Sequence, residues 1–328
     1  MKPFIVVGTC ISIATVPQLT ATIALVALIT VAVPLQSSGQ GQGRTPEATS
    51  LLGRPLYAPE LSAEARKKAE AELAQAETVH RQMPDDADAI IWLGRRMAYL
   101  GRYRDAITVF TQGIQKHPED ARMYRHRGHR YITVRELDRA IGDLTKAAQL
   151  VSGKPDQIEP DGQPNAKNIP TSTRNSNVYY HLGLAHYLKG DFDSALRAYR
   201  RCLEYSKNPD MLAATTHWLY MTLRRMHRDD EARRRLEPIA AGMEIIENGS
   251  YHKLLLMYKG LEKPDALLAA SSSGGIDTVT VGYGVGNWYL YNGRRDDAMN
   301  VFRKIVDDPQ APWSGFGYIA AEAELARH

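Results

Sequence analysis

From residue 62 onward, apolar residues recur at three- and four-residue steps, the spacing that gathers them on one face of a helix. Ser62 can cap a helix running to about Arg81, with Ala69, Leu73, Ala76 and Val79 on one face and Lys67, Lys68, Glu70 and Glu72 around it. Further along, the pattern repeats. Ala106, Ala140, Ala195, Ala232, Ala266 and Ala298 form one column, and one turn later on the same face stand Phe110, Leu144, Tyr199, Leu236, Ala270 and Phe302. Gly94, Gly128, Gly183, Tyr220, Leu254 and Gly286 precede the alanines by 12 residues. Gly94 and Gly128 are 34 residues apart, and a fixed period in that range means stacked helix–turn–helix units. Small residues are needed where two helices of a unit cross closely. Gly101, Gly190 and Gly293 mark the turns between helices, and Pro118, Pro209 and Pro309 the ends of units.

The columns predict repeats near 87–120, 121–154, 176–209, 213–246 and 279–312, with a degenerate unit at 247–273 that keeps Leu254-Leu255-Leu256-Met257 but loses the glycine and aromatic columns. Residues 152–175, rich in Pro and Gly with few apolar residues, are an insertion expected to form a surface loop. Helices at 62–82 and 313–327 cap the two ends, the last with Phe316, Ile319, Ala320 and Ala323 on one face and Glu322, Glu324 and Arg327 around it.

An aromatic, Leu-Gly, an aromatic, Ala, an aromatic and Pro in this order resemble the tetratricopeptide repeat, over about Ala87 to Pro312. The resemblance implies an all-α, right-handed superhelical stack over residues 61–328. It also implies a non-catalytic scaffold that binds a protein or peptide.

The first residues differ from the rest. Between Lys2 and Arg44 there is no charged residue, and Phe4 to Val33 is strongly apolar. Residues 1–39 read as a secretory signal peptide or a membrane anchor (residues 4–35), and residues 40–60 as a flexible linker. The expected location is exported: periplasmic, secreted or tethered to a membrane through this segment alone. A formal net charge of +4, evenly spread, argues against nucleic acid as a partner. The two cysteines are Cys10 and Cys202; Cys202 falls in a column held by Ala147 in the second unit and reads as a small core residue.

Candidate chemistry is sparse. His126 and His129 stand three apart, but Arg125, Arg127 and Arg130 around them would repel a cation, so no metal site is assigned. No catalytic residue and no cofactor is assigned either, because the chain has no Gly-rich phosphate loop, Gly-x-Ser-x-Gly or His-Glu-x-x-His. The resemblance places the ligand groove on the first helix of each unit. Carried over, it points to Arg95, Tyr99, Arg122, Arg125, His129, Asn177, Tyr180, Tyr187, His217, Arg224, Arg225, Tyr283, Asn287 and Tyr291. Cations interleaved with tyrosines suit a partner with acidic groups and some apolar surface. On this reading Arg125→Glu with Arg224→Glu abolishes partner capture and leaves melting nearly intact. Two alternatives stay open: an envelope enzyme or enzyme subunit with its active residues in the 152–175 loop or the degenerate repeat, and a binder of an anionic glycan or cell-wall fragment.

Overall fold

The computed structural model describes residues 45–271 and 274–328. The segment read as signal peptide or anchor lies outside the described residues. The described chain is an all-α repeat stack. After a two-residue hairpin, β1 (Ala48–Thr49) and β2 (Pro55–Leu56), comes α1 (Ala63–Gln82), whose N-terminus is capped by the Ser62 hydroxyl accepting from the Ala65 amide. Six helix pairs follow: α2 (Ala87–Tyr99) with α3 (Tyr103–Lys116), α4 (Ala121–Thr133) with α5 (Leu137–Val151), and α6 (Arg174–Lys189) with α7 (Phe192–Tyr205). Next are α8 (Pro209–Arg225) with the short α9 (Asp229–Arg235), α10 (Gly249–Tyr258) with α11 (Pro264–Ala270), and α12 (Ile276–Tyr291) with α13 (Arg295–Asp307). Helix α14 (Phe316–Arg327) ends the chain.

The glycine column is explained by its partners. A Cβ on Gly94 would lie 2.5 Å from the Phe110 ring, one on Gly128 2.7 Å from Leu144, and one on Gly183 2.7 Å from Tyr199. Each glycine therefore admits the large residue of the facing helix. Ala106, Ala140, Ala195, Ala232 and Ala298 are fully buried beside them. Ala266 and Ala270 are exposed, and Leu267 takes the buried place: the degenerate unit has slipped by one residue, so its alanine column does not mark a crossing.

Turn geometry follows a second column. Gly101, Gly190 and Gly293 have φ of 77°, 81° and 79°, and Arg135 and His227 hold the equivalent places at 66° and 57°. Left-handed backbone is costly for a residue with a Cβ, so these two depart from the rule that the glycines obey.

Three segments differ from the sequence reading. Pro209 begins α8 instead of ending the preceding unit; its missing N–H costs nothing in the first turn, and Asn208 caps that turn by accepting from the Met211 amide at 2.9 Å. Part of the expected linker is packed: Trp313 donates to the Tyr57 carbonyl at 2.7 Å and Arg54 pairs with Asp307 at 2.8 Å, joining residues 45–60 to the C-terminal end. The insertion is stapled by an Ile158–Thr173 bridge and turns inward, burying Glu159 and Thr171. Most of the insertion stays exposed at the surface, and its inward-facing Glu159 and Thr171 are paired with Arg125 and Glu247.

Candidate functional site

The residues expected to line an open groove sit on the first helices of their units, but the chain itself covers them. Arg125, Asn177, Tyr180, Tyr187, His217, Tyr283 and Asn287 are buried, while Arg95, Tyr99, Arg122, His129, Arg224, Arg225 and Tyr291 are partly buried. Two segments outside the repeat frame do the covering.

The first is the insertion. Its Glu159 pairs with Arg125 at 3.0 Å, both nearly enclosed. Arg95 donates to the Pro160 carbonyl at 2.9 Å and Arg96 to the Gly162 carbonyl at 2.8 Å. Gly162 lies so close to the Tyr99 hydroxyl that no side chain would fit there. Asn177 donates to Ser172 at 2.9 Å, and the Thr171 hydroxyl donates to Glu247 at 2.6 Å.

The second is α14. Phe316 packs against His129, His181 and Tyr180, with ring centroids 5.4, 5.7 and 6.2 Å apart. Glu322 accepts from Arg135 at 2.9 Å, and Glu324 accepts from Arg225 and Arg327, each at 2.6 Å. Both glutamates are fully buried, although the sequence reading left them in solvent around a cap. Beneath them Tyr283 and Asn287 donate to the Tyr187 hydroxyl at 2.8 and 3.0 Å. Trp218 donates to the Tyr180 hydroxyl at 2.8 Å, and that hydroxyl donates to Tyr251 at 3.1 Å. Pairing offsets the cost of burying a hydroxyl, and burial raises Tyr187 to about 12.

At the rim the cations are also engaged. Arg122 pairs with Asp120 and Asp88, and Arg224 pairs with Asp229 at 2.8 Å and lies 4.4 Å from the Tyr291 ring centre.

The histidines enclosed at this site, His126, His129, His181 and His217, are all shifted toward the neutral form by burial. Burial lowers His126, His181 and His217, the last to about 3, and the nearby guanidinium of Arg125 adds to the effect on His126 and His181. His126 stacks on Phe110 and His129 leans on His181, so the pair spaced three apart is built into aromatic packing.

The expectation that Arg125→Glu leaves the fold intact is corrected by this geometry. The new carboxylate would face Glu159 in a buried place with no cation between them. Sequence reasoning also missed Arg135, Glu159, Glu322 and Glu324. One signal was available: Arg135 stands where three other units carry Gly101, Gly190 and Gly293.

Residues 93–155 and 176–209 match tetratricopeptide repeat family models. The BBSome complex member BBS4 of Bos taurus is 26% identical over 140 residues, 43% of this chain and 23% of that protein. The match thus spans less than a quarter of that relative. Among solved structures, YrrB, a TPR protein with an unusual peptide-binding site, is 14% identical with a TM-score of 0.41, over 73% of this chain and 95% of its own. The anaphase-promoting complex assembly Cut9–Hcn1 is 14% identical with a TM-score of 0.49, over 78% of this chain and 47% of its own. With two family matches lying on its helix pairs, this chain carries tetratricopeptide repeats, at residues 93–155 and 176–209, within an all-α repeat stack.

Proposed function

We propose that this protein is a non-catalytic, exported scaffold whose concave face takes an acid-bearing protein or peptide segment. Its repeats indicate a protein–protein interaction scaffold. One observation carries the choice of partner: Arg125, Arg135 and Arg225 already hold Glu159, Glu322 and Glu324, carboxylates brought by a loop and a helix outside the repeat frame. The same recognition is made three times, and at Arg135 and Arg225 the guanidinium also lies over an aromatic ring, of Trp313 and Phe192. An acidic helix from a partner would meet matching chemistry wherever α14 gives way. For export, the support is the uncharged apolar run of residues 4–33.

A fluorescent peptide of residues 313–328 serves as the probe on the full chain. Glu322→Gln with Glu324→Gln in the protein loosens the internal helix and raises peptide affinity, and added salt weakens binding. Equal binding of a peptide with both glutamates changed to Gln, or no binding to either protein, would rule out the acidic-partner reading. Cell fractionation of tagged full-length and Δ1–39 protein tests export; soluble cytoplasmic full-length protein would end that part.

A further inference from the structure

Between the insertion, α4 and α14 lies a chamber of about 680 Å³. Tyr99, Tyr103 and His129 line one part of it and Tyr251 and Phe316 another. Arg130 is the one lysine or arginine among its lining residues. The volume falls within the range of roughly 300–1,000 Å³ typical of small-molecule sites.

Arg130 stands apart from its neighbours. Arg95, Arg125, Arg135 and Arg225 each donate to a carbonyl or carboxylate. Among the described residues Arg130 has no hydrogen bond or ion pair, and its contact is with the face of Tyr103, 5.6 Å from the ring centre. A guanidinium has five donors, and those of Arg130, which is partly exposed, face the solvent-filled chamber with no acceptor from the protein. Burial lowers Arg130 to about 10, so it is still a cation at neutral pH. A ligand carrying acceptors can replace the water on this guanidinium while its apolar part meets the surrounding rings.

We propose that the chamber binds a small organic monoanion, its carboxylate on Arg130 and its ring or apolar body against Tyr103, Tyr251 and Phe316. The lining limits the charge. Glu247 and Asp277 also face the chamber, and their carboxylates would repel a second negative group. The site needs no partner protein and no movement of α14, so it stands apart from the scaffold reading.

Calorimetric titration of the full chain with phenylacetate and indole-3-acetate, each beside its uncharged amide, tests the site. The acids bind and the amides bind at least about tenfold more weakly, since a charge-assisted pair is worth about 1.5–3 kcal/mol. Arg130→Gln lowers acid affinity by a similar factor and melts close to the wild type, because Arg130 is partly exposed and makes no ion pair whose loss would weaken the fold. Arg130→Lys keeps part of the affinity. Equal binding of acid and amide, unchanged binding in Arg130→Gln, or no binding of either acid at millimolar concentration would overturn the proposal. So would a melting temperature in Arg130→Gln lowered as far as by a core substitution, which would assign Arg130 to packing.

Discussion

Arg135 and Glu322 are 187 positions apart in the chain and meet in an ion pair of 2.9 Å, with side chains 2% and 1% exposed. Arg135 reaches it from left-handed backbone, φ 66°, at a turn where three other units carry glycine. Its guanidinium also donates to the Trp313 carbonyl at 2.7 Å, so one side chain ties the second repeat to the start of the C-terminal helix.

Arg135→Gly therefore has two opposed effects. It relieves backbone strain of about 1–2 kcal/mol. It also leaves Glu322 buried without its cation, a loss of about 3–5 kcal/mol when one partner of such a pair is removed. Net destabilisation is expected in denaturant unfolding, and adding Glu322→Leu to the same protein should recover much of it. A single mutant as stable as wild type would show that the pair does not hold the helix.

The glycine column gives a contrast within one molecule. Gly94→Ala and Gly183→Ala push a methyl group into Phe110 and Tyr199 and should cost about 1–3 kcal/mol. Gly142, in the middle of α5, has open space where its Cβ would be. Gly142→Ala should stabilise by about 0.5–1 kcal/mol, since alanine favours the helix interior. Thermal melting of the three variants checks the order.

Ala106→Leu should lower stability by about 1–3 kcal/mol, because that alanine is fully buried between helices. Ala266→Leu, in the same sequence column but exposed, should stay within about 0.5 kcal/mol of wild type. Equal losses would restore Ala266 to a helix crossing and contradict the one-residue slip.

Stability should fall as pH drops below about 6.5. Burial lowers His126, His181 and His217 in the folded state, so the unfolded chain takes up protons first. Their contribution is whole above the unfolded value and is lost as pH falls, by up to about 1.4 kcal/mol per unit for each histidine. For His217 the loss continues to about pH 3. Melting temperatures measured across this range should decline, and His217→Gln should flatten the slope. An unchanged slope would mean that His217 is charged or exposed in the folded protein.

Cys202 is buried, accepts no solvent contact of note, and its thiol is pushed up to about 12 by burial. The thiolate is the reactive form, so labelling by iodoacetamide at neutral pH should be negligible until the protein unfolds. Residues 45–328 contain this cysteine alone, which makes the label a reporter of opening between α7 and α8. Rapid labelling under native conditions would contradict that packing.

Much of the fold was legible in the sequence because helix pairing is local. Gly94 with Phe110, Gly128 with Leu144 and Gly183 with Tyr199 are all 16 residues apart, so one contact recurs at one spacing and leaves columns that can be read. The slip at Ala266 escaped because an alanine followed by leucine satisfies either register, and only burial of Leu267 separates them.

The candidate site was legible only by half. The repeat frame placed Arg125, Tyr180, Tyr187 and Arg225 on inner helices, since that follows from position within a unit. What faces them was decided by contacts that no period encodes. Glu159 lies in an insertion, and Glu322 and Glu324 lie in a terminal helix that reaches back across 187 and 99 residues to Arg135 and Arg225. A charge pattern alone makes those glutamates look solvated, because an acid beside an apolar stripe is cheapest in water. Tertiary structure reverses this by bringing a buried guanidinium to each. The sequence by itself determined the stack, its units and the cations of its inner face; only the three-dimensional arrangement decided that the chain's own carboxylates neutralise most of them, and that Arg130 is left facing a chamber.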